Sequence, residues 1–292
     1  MTIDLHRTRD WVVVGDNLDV LPSLPAGSFQ MIYVDPPFNT GKRQVRHTLS
    51  TVRDDAGDRA GFKGRRYSTT VVGSKAYADA YDDYLAFLEP RLLEARRLLS
   101  DTGTFYLHLD YREVHYAKVL LDRIFGRECF LNEIIWAYDY GARSTRRWPA
   151  KHDTILVYVK DPDRYWFDAS AVDREPYMAP GLVTKEKAAR GKLPTDVWWH
   201  TIVSPTGKEK TGYPTQKPEG LLRRMIAAST RPGDRVLDFF AGSGTTGAVA
   251  RALGRRFVLV DSNPEAVDVI RARLGGKDVT YRKAAARGSR AG

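Results

Sequence analysis

A doubly wound α/β architecture, with a seven-stranded, mostly parallel sheet, is what this 292-residue sequence predicts, on three observations. Short apolar runs bounded by Gly, Asp and Pro alternate with segments of helical apolar spacing, the pattern of strand–helix–strand units covering both faces of a sheet. One of those strands runs into a glycine-rich turn and then a helix, the type of junction at which open α/β sheets bind ligands. The chain is 42% hydrophobic and 28% charged, a composition that can bury a large core and argues against disorder throughout.

In chain order, 11–14 and 31–34 are apolar runs of the buried-strand type. From 81 to 99, Tyr84, Leu85, Leu88, Leu92, Ala95 and Leu99 recur at spacings of three and four, a helix with a kink expected at Pro90 and a break at Gly103. Strand 104–109, helix 113–125 ending at Gly126, and strands 133–138 and 154–159 follow. After an irregular stretch come helix 218–230, strand 235–238, helix 245–253, strand 257–260 and helix 264–274. No internal repeat is evident. The Gly/Pro/Lys-rich stretch 162–213 is too long for an ordinary connection and is read as a small inserted recognition module. Segment 41–80 has no sustained apolar period and is read as a long, mobile loop.

Several function classes drop out. No run of 18 apolar residues occurs, and the polar first ten residues carry no signal-peptide core, so neither a membrane span nor secretion is expected. A single cysteine, Cys129, and the lack of any Cys/His cluster with zinc spacing argue against a disulfide scaffold and a structural metal. A cytoplasmic protein without a bound metal is the expectation.

Lys and Arg number 46 against 36 Asp and Glu, a formal charge of +10 that suits a polyanionic partner without requiring one. The charge is uneven. Lys42, Arg43, Arg46, Arg53, Arg59, Lys63, Arg65, Arg66 and Lys75 face only Asp54, Asp55 and Asp58 within 41–75. Further clusters are Arg143, Arg146, Arg147 and Lys151, then Lys185, Lys187, Arg190 and Lys192, then the tail. Trp148, Trp166, Trp198 and Trp199 lie among them, a mix suited to phosphate contact and base stacking. Core packing would explain the same tryptophans one by one.

The strand 235–238 leads into Phe239-Phe240-Ala241-Gly242-Ser243-Gly244-Thr245-Thr246. Glycines there let backbone approach a ligand, and the helix start offers free N–H groups to a carboxylate or a phosphate. No Lys follows Gly244, which excludes a Gly-Lys-Thr phosphate loop, and Gly247, after two threonines at the helix start, is read as setting the turn apart from the dinucleotide fingerprint. Asp261 ends the next strand, 23 residues after Asp238, where a carboxylate can accept both hydroxyls of a ribose. Glycine turn and distal Asp together fit an adenosine-containing cofactor.

Strand 31–34 ends in Asp35-Pro36-Pro37-Phe38. The prolines fix their own φ and remove two N–H donors, leaving the carbonyls of Asp35 and Pro36 as acceptors beside the Asp35 carboxylate. Such a cradle receives an NH2 group, and Phe38 offers a face on which a heterocycle stacks. A Pro-Pro loop that merely ends a strand would look the same in isolation.

Asp35-Pro-Pro-Phe38 followed far downstream by Phe239-Phe-Ala-Gly-Ser-Gly-Thr245 resembles the amino-group DNA methyltransferases of the β class, in which the catalytic motif precedes the cofactor turn. The resemblance spans most of the chain. It takes in Gly15-Asp-Asn-Leu18, Leu92-Leu-Glu-Ala-Arg-Arg-Leu-Leu99 and Tyr106-Leu-His-Leu-Asp110, and continues through Ile134-Ile-Trp136, Lys151-His-Asp-Thr-Ile155, Val197-Trp198 and Tyr213-Pro-Thr-Gln-Lys-Pro218. It implies a circularly permuted Rossmann-like methyltransferase fold: a catalytic half at 1–161, target recognition by 162–213, a cofactor half at 214–275 and a basic tail at 276–292. It also implies S-adenosylmethionine as methyl donor and an adenine N6 amine, flipped out of duplex DNA, as acceptor, with cytosine N4 the alternative.

Carried over residue by residue, Asp35, Pro36, Pro37 and Phe38 hold the target base. Asp16, Asp35, Thr215, Lys217, Asp238, Phe239, Phe240, Ala241, Gly242, Ser243, Gly244, Thr245, Thr246 and Asp261 bind the cofactor. DNA contacts are expected from Lys42, Arg43, Arg46, Lys63, Arg65, Arg66, Arg143, Arg146, Arg147, Lys185, Lys187 and Trp198. Cys129 has no part in amine methylation and reads as packing. A homodimer and a restriction endonuclease on a separate chain are the partners implied, in a prokaryotic cytoplasm at the nucleoid, or encoded by a phage. A non-catalytic DNA-binding subunit would have lost an acceptor or cofactor residue, whereas Asp35, Pro36, Phe38, Asp238, Gly242, Gly244 and Asp261 are all present.

Overall fold

The computed structural model describes residues 3–5, 10–40, 44–53, 59–60, 66–77, 81–141, 143–204, 207–276 and 278–285. They fall in two compact units, Met1–Pro36 with Leu85–Gly292, and Pro37–Tyr84. Along the chain come β1 (Asp10–Val14), α1 (Asn17–Val20), β2 (Phe29–Val34), β3 (Gln44–Arg53), β4 (Arg59–Ala60), β5 (Arg66–Tyr77), α2 (Tyr84–Leu98), β6 (Leu99–Leu109) and α3 (Val114–Phe125). Then follow β7 (Phe130–Ala137), β8 (His152–Val159), α4 (Lys185–Arg190), β9 (Val197–Trp199), α5 (Glu219–Ser229), β10 (Arg235–Asp238), α6 (Thr245–Ala252), β11 (Arg256–Asp261), α7 (Pro264–Leu274) and β12 (Val279–Lys283).

The larger unit is built on a nine-stranded sheet in the order β12-β1-β11-β10-β2-β6-β8-β7-β9. Only β8 runs against the rest, pairing antiparallel with β6 and β7. The central strands are buried on both faces, which is why they read as continuous apolar runs rather than as alternations. On one side Met31, Tyr33, Tyr106, Val236, Phe257 and Leu259 share a core with Leu222 and Ile226 of α5, Val249 of α6 and Ile270 of α7. Ile32, Phe105 and Leu107 point the other way by the two-residue period and are equally buried, with Phe125 of α3 stacked on Phe105 at 5.4 Å. From β2 the chain proceeds to β6 on one side, and from β10 to β11 on the other. The crevice between β2 and β10 is therefore a topological switch point, where open α/β sheets bind ligands.

The structure departs from the sequence expectation at four places. Segment 41–80 is not simply a loop: β3, β5 and β4 form a three-stranded antiparallel sheet in the smaller unit. Its strands are dense in Val and Thr, whose branched side chains favour extended backbone, yet too polar to show an apolar period. The seven expected strands become nine in the main sheet. Strand β9 is three residues long, below the length at which periodicity shows. Strand β12 lies within what reads as a basic tail and pairs in parallel with β1 from Asp10↔Val279 to Val14↔Lys283. Helix α2 keeps Pro90 inside it as expected, but β6 begins directly at Leu99, ahead of the strand expected from 104. No helix among the described residues is long and apolar enough to cross a membrane.

Candidate active site

Of three neighbouring strands, β11 and β10 end in Asp261 and Asp238, and β2 leads directly into Asp35. Asp238 is buried and accepts from the Phe240 N–H (3.0 Å) and the Thr246 hydroxyl (2.6 Å), tying the strand end to the first turn of α6. Asp261 accepts from the Gly242 N–H (2.7 Å) through one oxygen and the Asn263 N–H (2.8 Å) through the other. The backbone of the turn is thus lashed to two carboxylates. Gly242 (φ +48°) and Gly244 (φ +72°) take left-handed conformations that side-chain-bearing residues rarely adopt, and a Cβ at Gly247 would stand 2.7 Å from Leu259 Cδ1. Gly242, Gly244 and Gly247 therefore do have the spacing of the dinucleotide turn, and the two threonines between the last pair do not set it apart.

The polar side chains of the turn face inward. The Ser243 and Thr245 hydroxyls lie 3.0 Å apart, Thr245 Oγ1 donates to the Lys217 carbonyl (3.2 Å), and Arg273 Nη1 donates to Thr245 Oγ1 (3.0 Å) and to the Ser243 carbonyl (3.2 Å). Phe239 is buried and Thr246 is spent on Asp238. What 239–246 offers a ligand is backbone, with the half-buried Phe240 ring beside Phe87, centroids 6.0 Å apart.

Lys217 lies just before α5 and is buried, its ammonium 2.8 and 2.6 Å from the two oxygens of Asp35. The preceding loop is held by Gln216, whose side chain accepts from Thr211 N and Oγ1 (both 2.8 Å) and donates to the Glu209 carbonyl (2.7 Å). Thr215 in that loop is exposed at φ +57°, a left-handed conformation unusual for a β-branched residue and of the kind that clusters at functional sites. Pro36 is buried next to Asp35. Pro37 and Phe38 belong to the smaller unit, in which the Pro37 carbonyl accepts from Tyr84 Oη (2.6 Å) and Asn39 Oδ1 from the Tyr81 N–H (3.0 Å).

Burial pushes the Asp238 carboxyl up to about 7, with Asp35 and Asp261 adding in the same direction. Burial raises Asp261 as well. Opposing this acidity, the Lys217 ammonium neutralises Asp35.

Two supports rest on pairings between residues far apart in the sequence. Arg91 of α2 is buried, donates to Asn17 Oδ1 (2.7 Å) and the Phe87 carbonyl (2.6 Å), and lies over the Phe87 ring at 3.9 Å. Asn17 donates in turn to the Phe239 carbonyl (3.1 Å), while Asp16 caps α1 through Leu18 N (2.8 Å) and stands 3.4 Å from Arg91. Behind Asp35, Tyr33 Oη bonds His108 Nδ1 (2.8 Å), His108 Nε2 bonds Asp153 (3.2 Å), and Asp153 accepts from Tyr138 Oη (3.0 Å). His108 supplies the polar centre of this network and is fully buried. The motifs around His108 and Asp153 are visible in the sequence; their pairing is not.

Of the basic residues expected to meet DNA, Arg143, Arg146, Arg147, Lys185 and Lys187 are exposed. Lys42, Arg43, Lys63 and Arg65, with the side chains of Arg46 and Arg66, lie outside the described residues. Trp198 is a correction. It is buried in the core, its Nε1 donating to the Thr195 carbonyl (2.7 Å) and Arg224 over its ring at 5.4 Å, so it packs β9 rather than meeting a base. Cys129 is buried, and burial pushes its thiol up, away from nucleophilic use.

This donor and acceptor set fits a nucleoside joined to an amino acid. Each Asp261 oxygen retains a lone pair for a vicinal hydroxyl, and Lys217 with Asp35 is the charge complement of an amino-acid zwitterion. The family profile N6_N4_Mtase, DNA methylase, matches residues 29–272. The chain belongs to this DNA methylase family. It is 31% identical over 271 residues to the DNA adenine methyltransferase YhdJ of Escherichia coli K12, covering 90% of this chain and 82% of that one. It is 30% identical over 263 residues to the type II methyltransferase M.HpaI of Haemophilus parainfluenzae, covering 90% and 73%. Among solved structures, the M1.HpyAVI–SAM complex superposes on this methylase with a TM-score of 0.58 at 21% identity, over 91% of this chain and all of that one.

Proposed function

We propose that this DNA methylase transfers a methyl group from S-adenosylmethionine to the N6 amine of an adenine extruded from duplex DNA. One observation carries the reading: Asp35 stands at the switch point one strand from Asp238, so an amine acceptor and a nucleoside-holding turn open on the same crevice. Bound at the turn, S-adenosylmethionine supplies an electrophilic methyl group on its sulfonium. Asp261 holds its ribose hydroxyls, Lys217 its carboxylate, and Asp16 lies toward the adenine side.

An exocyclic amine is a poor nucleophile because its lone pair is delocalised into the ring. Asp35 accepts one amine hydrogen and the Pro36 carbonyl the other, favouring a pyramidal nitrogen whose lone pair is free to attack. The Asp35 carboxylate is also placed to take up the proton that the amine sheds. No covalent enzyme intermediate is needed. Segment 162–213 supplies target recognition. Adenine rather than cytosine is supported by Asp as the first residue of the motif and by the adenine activity in the name of YhdJ.

Purified protein incubated with duplex DNA and methyl-tritiated S-adenosylmethionine tests this. After digestion to nucleosides, label is expected in N6-methyladenine. Label confined to N4-methylcytosine, or none in DNA, overturns it.

A further inference from the structure

The fold uses most of its tryptophans for packing or capping. Trp136 and Trp198 are buried with Nε1 bonded to the His200 carbonyl (2.6 Å) and the Thr195 carbonyl (2.7 Å), and the Trp166 ring carries the Arg231 guanidinium at 3.5 Å. Trp148 and Trp199 are the opposite cases, 94% and 74% exposed, and of the two only Trp148 directly follows two exposed arginines, Arg146 and Arg147. An exposed indole beside guanidinium groups offers a stacking face to a ligand whose phosphates those groups can hold.

Its position gives the partner. Trp148 lies in the loop between β7 and β8, closed at its base by Tyr138 N–H donating to the Lys151 carbonyl (3.0 Å). Strand β7 runs parallel to β2, so this loop leaves the sheet at the edge that carries Asp35. Three inter-strand spacings separate β7 from β2, about 14 Å across the sheet. The Ser144 hydroxyl accepts from the N–H groups of Arg146 and Arg147 (both 3.2 Å), shaping the turn that presents Trp148. Arg147 also donates to Tyr111 Oη (3.3 Å), joining the loop to the residues after β6. The result is an exposed indole immediately after two exposed guanidinium groups, on the end of the sheet that carries Asp35. Guanidinium groups suit phosphates, and an indole suits a gap in a base stack.

We infer that Trp148 enters the DNA duplex at the position vacated by the extruded base, while Arg146 and Arg147 hold the flanking phosphates. This rests on the reading that the protein methylates a base in duplex DNA. Extrusion leaves an unstacked gap, and a side chain that fills it stabilises the open state. A mismatch at the target pair weakens the base pair beforehand and so reduces dependence on the wedge.

The test compares wild type, Trp148→Ala and Trp148→Phe on a duplex containing a site that sequencing of wild-type-methylated DNA has located. Each variant is assayed on the fully paired duplex and on the same duplex with the target base mispaired. Trp148→Ala is expected to lose about 10- to 100-fold in kcat/KM on the paired duplex, the scale of a lost stacking contact. It should come within about threefold of wild type on the mispaired one, where extrusion is already easier, and Trp148→Phe should retain most activity on both. Cofactor affinity by calorimetry should be unchanged in both variants, which checks their folding. Equal activity of Trp148→Ala and wild type on paired DNA overturns the inference. So does an equal loss on both duplexes, which would make Trp148 an ordinary contact. Wild type that methylates no DNA overturns the underlying reading and the wedge with it, a result distinct from either variant outcome.

Discussion

Asp238 and Asp261 on one side of the crevice, and Asp35 on the other, end neighbouring strands but are satisfied in different ways. The first two are bonded to backbone N–H groups and a threonine hydroxyl belonging to the same turn. Those partners cannot leave without undoing the turn, so the cofactor half is formed in advance. Asp35 is held by the ammonium of a lysine 182 residues away in sequence. A lysine on a flexible stem can exchange one anion for another without disturbing a strand. The acceptor half is therefore poised, its carboxylate able to exchange the lysine for an amine hydrogen.

Replacements on the two sides should separate catalysis from binding. The largest effect is expected from Asp35→Ala, with methyl transfer reduced about 10³-fold or more and cofactor affinity by calorimetry reduced far less, about tenfold, for the one ammonium contact it loses. Substantial turnover would remove Asp35 from its role. Asp261→Ala should act in the reverse sense, weakening cofactor binding about 100-fold and lowering stability by about 1–3 kcal/mol, because the Gly242 and Asn263 N–H groups lose their acceptor. Unchanged affinity would refute the ribose assignment. Lys217→Met is expected to weaken the cofactor about tenfold without reaching the Asp261→Ala loss, since it removes one charge-assisted contact where Asp261→Ala removes two ribose acceptors and the anchor of the turn.

The last prediction reads out stability against pH. The Asp238 carboxyl is raised from its ordinary 3.8 to about 7, so between those values the folded chain keeps a proton that the unfolded chain has released. Its stabilising contribution is complete below 3.8 and is lost as pH rises through 7. Asp238→Asn removes that dependence. Its melting temperature relative to wild type should climb by about 5 °C from pH 4 to pH 7 and then stay level. A constant difference would mean that Asp238 is ionised throughout.

The acidic crevice was legible because its parts are local: a strand, a glycine turn and a helix are contiguous, and Asp-Pro-Pro-Phe is four residues long. Its supports were not, since Arg91 meets Asn17 and His108 meets Asp153 across 74 and 45 residues. A hint for Arg91 was present. It lies at helical spacing between Leu88 and Ala95 on the buried stripe of α2, where a charged residue requires a buried partner. Trp198 misled because a tryptophan among basic residues looks the same whether it packs β9 or faces DNA; burial alone distinguishes it from Trp148. Strand β12 was hidden by Arg282 and Lys283, which kept its apolar period to Val279 and Tyr281.

Mass spectrometry of nucleosides from the DNA of cells expressing the protein tests the central claim most directly. N6-methyladenine is predicted with the wild-type chain and is predicted to be absent with Asp35→Ala. N4-methylcytosine without N6-methyladenine would contradict the assignment of the target base, and equal N6-methyladenine from both chains would contradict the role of Asp35.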